Sequence, residues 1–160
     1  MLNRSVVFLT WLLTGILLLP AVSCAQDKAP SFHETDIRGN RQSPDQYLGK
    51  TLVLYFWASW CPNCRKDVKK MIAVYKKHHA QNVEWISISL DHELEKLESF
   101  AAKMNIPYPI LFDGRGWENQ IGRMYGISAI PVFFVVDSRG FMAHSGSRGS
   151  ELDEILSSSR

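Results

Sequence analysis

The sequence predicts an α/β domain with a mixed central β-sheet flanked by helices, and three observations predict it. A continuous apolar run, "TLVLYFW" at residues 51–57, is followed by a lysine-studded amphipathic stretch and then a second β-forming run at residues 83–90. That order is a βαβ unit, whose right-handed crossover joins parallel strands. Later, "PVFFVVD" and "FMAHSG" flank the turn signal "SRG", which adds antiparallel strands. The bulk composition suits one domain: 160 residues, 46% hydrophobic and 21% charged, are ordinary for a globular chain carrying a short targeting segment.

The first 23 residues read as that targeting segment. Arg4 supplies a positive start, the 14 residues from Val6 to Leu19 carry no charge, and Pro20 ends the run. This is the n-region and h-region of a secretory signal, and it is short for a membrane span. A retained anchor helix is the competing reading. "AVSC" resembles a bacterial lipobox, which would make Cys24 the lipidated first residue of the mature chain. "SCA" also suits ordinary signal peptidase, with cleavage before Gln26. In either case the mature domain is expected outside the cytoplasm, in a periplasm or at a cell surface. Residues 24–30 then form a tether, and residues 31–160 form the domain.

The elements follow in order. "FHETDI" alternates and meets "RGN", a hairpin arm. "SPDQYLGK" offers Ser43 as an N-cap, Pro44 at the first helical position and Gly49 as a stop. Residues 51–57 have no polar alternation, as in a strand buried on both faces. Lys66 to His79 carries Val68, Met71, Ile72 and Tyr75 at helical spacing. "VEWISISL" is the next strand, Glu93 to Met104 the next helix, and "YPILFD" an extended piece. Trp117 to Tyr125 is a short helix stopped by Gly126, and the strand hairpin follows. Glu151 to Leu156 closes the chain as a helix with Ser150 as its cap. Trp57, Trp85 and Trp117 are expected to pack, and the lysines from Lys66 to Lys77 to form a solvated face. His33, His92 and His144 are scattered and are assigned no role.

The chemistry concentrates at Cys61 and Cys64, which sit where a buried strand turns into a helix. Pro62 is preorganised for the first helical turn. Orphan amides and the helix dipole there favour an anion, so a thiolate on Cys61 is stabilised. Residues three apart share a helix face, close enough for a reversible disulfide. An exposed attacking sulfur with a resolving sulfur one turn later is what thiol–disulfide exchange requires. Two bland alternatives stand beside this. A zinc site wants a second ligand pair, and the candidates His78 and His79 lie at the far end of the same helix, about 20 Å away. A purely structural disulfide would close so short a loop that it stabilises little.

"FWASWCPNCRK" resembles the active-site segment of thioredoxin-fold proteins, and "YGISAIPVFFVVDSRG" resembles their later segment, in which a cis proline faces the Cys pair. With "FHETDIRGNRQSPDQYLGKTLVLYFW" ahead of them, the chain from about Ser31 onward is similar to the TlpA/ResA-type branch of exported thiol–disulfide oxidoreductases. The resemblance implies a thioredoxin fold with an N-terminal β-hairpin extension and a Cys-x-x-Cys cycle in which Cys61 attacks and Cys64 resolves. It also implies that Trp60 shields the pair. Pro131 would be the cis proline, and the Ile130 backbone would pair with an extended substrate. Members of this branch commonly act as reductants, as in cytochrome c maturation, and take electrons from a membrane thiol carrier. The expected partners are therefore protein or small-molecule thiols and disulfides together with that membrane donor. A monomer with no cofactor and no metal is expected.

Three positions depart from the pattern. Tyr55 stands where thioredoxins keep a buried Asp, and a phenol with pKa near 10 is a poor proton acceptor. Asp67 stands where many members have Glu, three residues after the second Cys, and is a candidate for proton movement at Cys64. Lys69 replaces a helix-kinking Pro, so this helix should run straighter. Two rival functions remain. A peroxiredoxin-type thiol peroxidase needs a Thr-x-x-Cys setting, and Ala58 occupies the Thr place. A thiol-based metal chaperone or redox-silent adaptor would bind copper through Cys61 and Cys64 without reductase activity. A net charge of +2 and three cysteines argue against nucleic acid as a partner and against a disulfide scaffold.

Overall fold

The computed structural model describes residues 27–158. The expected signal segment, residues 1–23, and Cys24 lie outside the described residues. A two-stranded arm, β1 (Glu34–Thr35) and antiparallel β2 (Arg41–Gln42), precedes the main sheet. The helix expected after Ser43 is a 3-10 helix, Pro44–Tyr47, capped by the Ser43 side chain through the Asp45 amide. Then follow β3 (Thr51–Trp57), α1 (Pro62–His78), β4 (Val83–Ser89), α2 (Leu94–Met104) and β5 (Ile110–Phe112). The chain closes with α3 (Gln120–Met124), β6 (Val132–Val136), β7 (Met142–Gly146) and α4 (Gly149–Ser158).

The five-stranded sheet has the order β5-β4-β3-β6-β7. Strand β3 pairs in parallel with β4 and antiparallel with β6, and the β6–β7 hairpin is antiparallel. Every residue of β3 after Thr51 is buried, which is why its sequence shows no alternation. One face of β3 presents Tyr55 and Trp57, which stack on each other, with Phe100 of α2 against Trp57. On the other face Phe56 meets Tyr125 and Phe134. Trp57 and Trp85 are core residues as expected. Trp117 is not: it is 45% exposed on a 3-10 turn, Gly116–Glu118, beside Trp60 with ring centroids 6.3 Å apart.

Both edges of the sheet are covered by the residues that lead into β3. Asp27 to Ala29 run along β7, with Met142 N donating to Asp27 O and Ala29 N to Gly140 O, each at 2.9 Å. These residues, expected as a free tether, are thus held on the domain. The arm then bonds β5, through Ile37 N to Ile110 O at 2.9 Å and Arg38 Nη2 to Ile106 O at 2.7 Å. Buried Asp36 ties the arm's turn by accepting from the Arg38 and Asn40 amides, each at 2.9 Å.

Helix α4 begins at Gly149, two residues before the expected start, and Ser150 lies inside it. The reason is a cap from elsewhere in the chain. Both oxygens of Asp67, on α1, accept the Gly149 amide at 3.1 Å, satisfying a first-turn donor that a local Ser would otherwise serve. Asp153 then joins the two helices, accepting from Lys77 at 2.7 Å and His78 at 2.9 Å.

Candidate active site at the start of helix α1

Cys61 is the N-cap of α1 and Pro62 its first helical residue. The extended conformation of Cys61 turns its sulfur back over the helix start, where Sγ accepts the Cys64 amide at 3.2 Å. The sulfur thereby caps one of the amides that the helix start leaves without an intrahelical partner. Cys64 follows one turn later, and both cysteines are free thiols. Cys61, expected to be exposed, is only 5% exposed, while Cys64 is fully buried as the resemblance implied. Trp60, next to Cys61 in the chain, is 46% exposed, and its Nε1 donates to Leu90 O at 3.2 Å. The segment opposite the Cys61 sulfur completes the site.

That segment carries Ile130 and Pro131. Their peptide bond is cis, and Cys61 Sγ lies 3.8 Å from Ile130 O. Ala129, Ile130 and Pro131 line one side of a groove of about 550 Å³, and Asn63, Lys66, Asp67, Ser147 and Arg148 line the rest. The residues expected to work together, Trp60, Cys61, Cys64, Asp67, Ile130 and Pro131, thus gather at one end of the sheet.

Burial pushes the Cys64 thiol well up from its ordinary range, and the Cys61 sulfur beside it adds to the shift. Burial thus favours the neutral thiol at Cys64. Tyr55 lies in the same buried region. Burial, then Cys64, drives its ionisation further out of reach, and its hydroxyl has no hydrogen-bond partner among the described residues. Tyr55 is a neutral phenol and cannot serve as the base. Asp67 is half-buried at the groove. Burial raises its pKa, while the Gly149 amide and Lys70 pull it back. It lies three residues beyond Cys64, on the same helix face.

One group of site residues has no counterpart in the sequence reading. Asp91 is buried just after β4. Its carboxylate accepts from the Ser59 amide at 2.9 Å and from the Ser59 and Ser89 hydroxyls, each at 2.7 Å. With Leu90 N bonded to Trp57 O at 2.8 Å, this network fixes the turn that carries Trp60 and Cys61. The signal for it was serine at alternate positions of β4 followed by Asp, polar residues in a strand otherwise built for burial.

Residues 25–145 match the AhpC/TSA family. The chain belongs to that family. Within the AhpC/TSA family it is similar to the thiol-disulfide oxidoreductase ResA of Geobacillus kaustophilus, at 29% identity over 112 residues, which cover 70% of this chain and 63% of ResA. The sporulation thiol-disulfide oxidoreductase A of Bacillus subtilis is 24% identical over 147 residues, 88% of this chain and 87% of that protein. Among solved structures, a thiol:disulfide interchange protein of the thioredoxin family from Chlorobium tepidum superposes with a TM-score of 0.73 at 26% identity, covering 84% of this chain and 96% of that one. A thiol-disulfide oxidoreductase from Bacteroides fragilis gives a TM-score of 0.76 at 23% identity, covering 84% of this chain and all of that one. The AhpC/TSA chain therefore has the thioredoxin fold that the resemblance implied.

Proposed function

We propose that this protein is an extracytoplasmic thiol–disulfide oxidoreductase that reduces protein disulfides through Cys61 and Cys64. One observation carries the reading: Cys61 Sγ sits at the start of α1, on the Cys64 amide and beside the Ile130 carbonyl, with a buried thiol one turn behind it. The Cys61 thiolate attacks one sulfur of a substrate disulfide, forming a mixed disulfide and releasing the other substrate sulfur as a thiolate, which takes a proton. Cys64 then loses its proton to Asp67 and attacks Cys61 Sγ. This forms the Cys61–Cys64 disulfide and releases the second substrate thiol. Two electrons pass from the protein to the substrate, and a membrane dithiol donor restores the pair.

The substrate segment lies extended along Ile130 and Pro131, pairing with the Ile130 backbone, while Trp60 excludes water from the sulfurs. Ala58, with only a methyl group to offer, and Arg65, whose guanidinium lies 5.5 Å from the Phe100 ring centroid, weigh against hydroperoxide chemistry at Cys61. Lipidation of Cys24 would hold the domain at a membrane, and the mass of the intact protein extracted from membranes tests that part.

The decisive experiment is trapping. Cys64→Ser is expected to accumulate mixed disulfides with partner proteins, and Cys61→Ser is not. If the two variants behave identically, the reading fails. A redox titration then fixes direction: a potential near about −270 mV indicates a reductase, and one near about −120 mV an oxidant.

A further inference from the structure

The groove beside Cys61 has an asymmetric lining. It holds two cations, Lys66 and Arg148, and one carboxylate, Asp67. Asp67 is already engaged, since both its oxygens take the Gly149 amide at 3.1 Å, at a helix start whose dipole offsets a negative charge. The next carboxylate along, Glu151, is likewise turned inward, accepting the Ser147 amide at 3.2 Å. Lys66 and Arg148 are both exposed, and neither makes an ion pair or a side-chain hydrogen bond among the described residues. Of the other basic residues of α1, Lys70 and Lys77 face Asp153, Arg65 lies over Phe100, and Lys69 and Lys76 are not among the residues that line the groove. The groove itself thus carries two unpaired cations, from two different elements, against one engaged carboxylate.

We infer that Lys66 and Arg148 select the substrate: the groove takes an extended peptide segment that carries an acidic side chain close to its disulfide cysteine. This rests on the exchange reaction proposed above and names the class of substrate that reaction accepts. Ala129, Ile130 and Pro131 supply an apolar wall for the peptide. Lys66 on α1 and Arg148 just before α4 supply donors from two different elements. A planar guanidinium and a flexible ammonium together suit one Asp or Glu carboxylate, or two neighbouring ones. Opposite charge also speeds encounter, and that gain is lost in salt.

The test uses three otherwise identical peptides whose single cysteine is flanked by Glu, by Lys or by Gln. Each is made in two forms: with Ser in place of Cys for binding, and with Cys in a mixed disulfide with a neutral chromogenic thiol for reduction. The Glu peptide is expected to bind the reduced protein about tenfold more tightly than the Lys peptide and to be reduced faster by a similar factor. Raising salt to about 0.5 M should close most of that gap. Lys66→Glu with Arg148→Glu should reverse the binding order, and Lys66→Gln with Arg148→Gln should abolish it. Equal binding of the Glu and Lys peptides to the wild-type protein, or a preference that survives both double variants, overturns the inference. The Gln peptide separates the two claims. If its disulfide is not reduced, the exchange reaction is wrong, while the binding order of the Ser peptides still decides the role of Lys66 and Arg148.

Discussion

In the proposed reaction Asp67 receives the Cys64 proton and Tyr55 takes no part in its transfer. Tyr55 fills the space without accepting a proton, since burial holds its phenol neutral. Its hydroxyl is buried and without a partner among the described residues, which costs about 1–3 kcal/mol. Tyr55→Phe is therefore expected to stabilise the fold, by about 1 kcal/mol in urea unfolding, and to leave the rate of resolution by Cys64 nearly unchanged. Asp67→Asn should act in the opposite way. Asn can still accept the Gly149 amide, so stability changes little, but resolution slows by about a hundredfold. In the wild type the rate of resolution should fall as pH drops through the raised Asp67 value, and that step should vanish in the variant. Stopped-flow measurement of Cys61–Cys64 disulfide formation against pH checks both. The placement of the cysteine pair was legible because Cys-x-x-Cys at a strand-to-helix turn constrains both sulfurs locally, whereas Asp67 was singled out through the family resemblance. Asp91 was not, because its partner Ser59 lies 32 positions away and only the parallel pairing of β3 with β4 brings them together.

At the level of elements, the joint between α1 and α4 is made by side chains reaching across the interface. Asp153 is held at a pKa of about 2 by its bond to Lys77, then by His78, with burial opposing. Its folded value lies below the ordinary 3.8, so its stabilisation is fully present above that value and is lost as pH falls toward about 2. Urea midpoints should therefore drop between about pH 5 and pH 2 more steeply in the wild type than in Asp153→Asn. The strands and the two long helices could be placed from periodicity alone, since burial on both faces and helical spacing leave direct marks on the sequence. The start of α4 could not. Its cap comes from Asp67, 82 residues earlier, so Ser150 offered a plausible local cap that the fold does not use. Trp117 misled for a related reason: a large aromatic is usually core, but here a 3-10 turn holds it outward, next to Trp60.

For the molecule as a whole, the segment before β3 has a protective role. Residues 27–42 cover the β7 edge at one side and the β5 edge at the other, and Phe32 meets Tyr125 on the sheet face between them. Open edges template association with other strands. Removing residues 27–42 from the domain should therefore lower its thermal stability and shift it toward dimers and larger species on size exclusion, whereas the chain from Asp27 onward stays monomeric. The same segment also sets a direction. Asp27 bonds Met142, at the end of the sheet where β6 turns into β7, while Cys61 lies beyond the opposite end of β3. The seven residues of β3 separate these ends by roughly 20 Å. A lipid on Cys24, three positions before Asp27, would therefore moor the domain by its base and leave the reactive sulfur facing outward. Such a protein would meet its clients on the side away from the bilayer, and would have to tip over to collect electrons from a donor embedded within it.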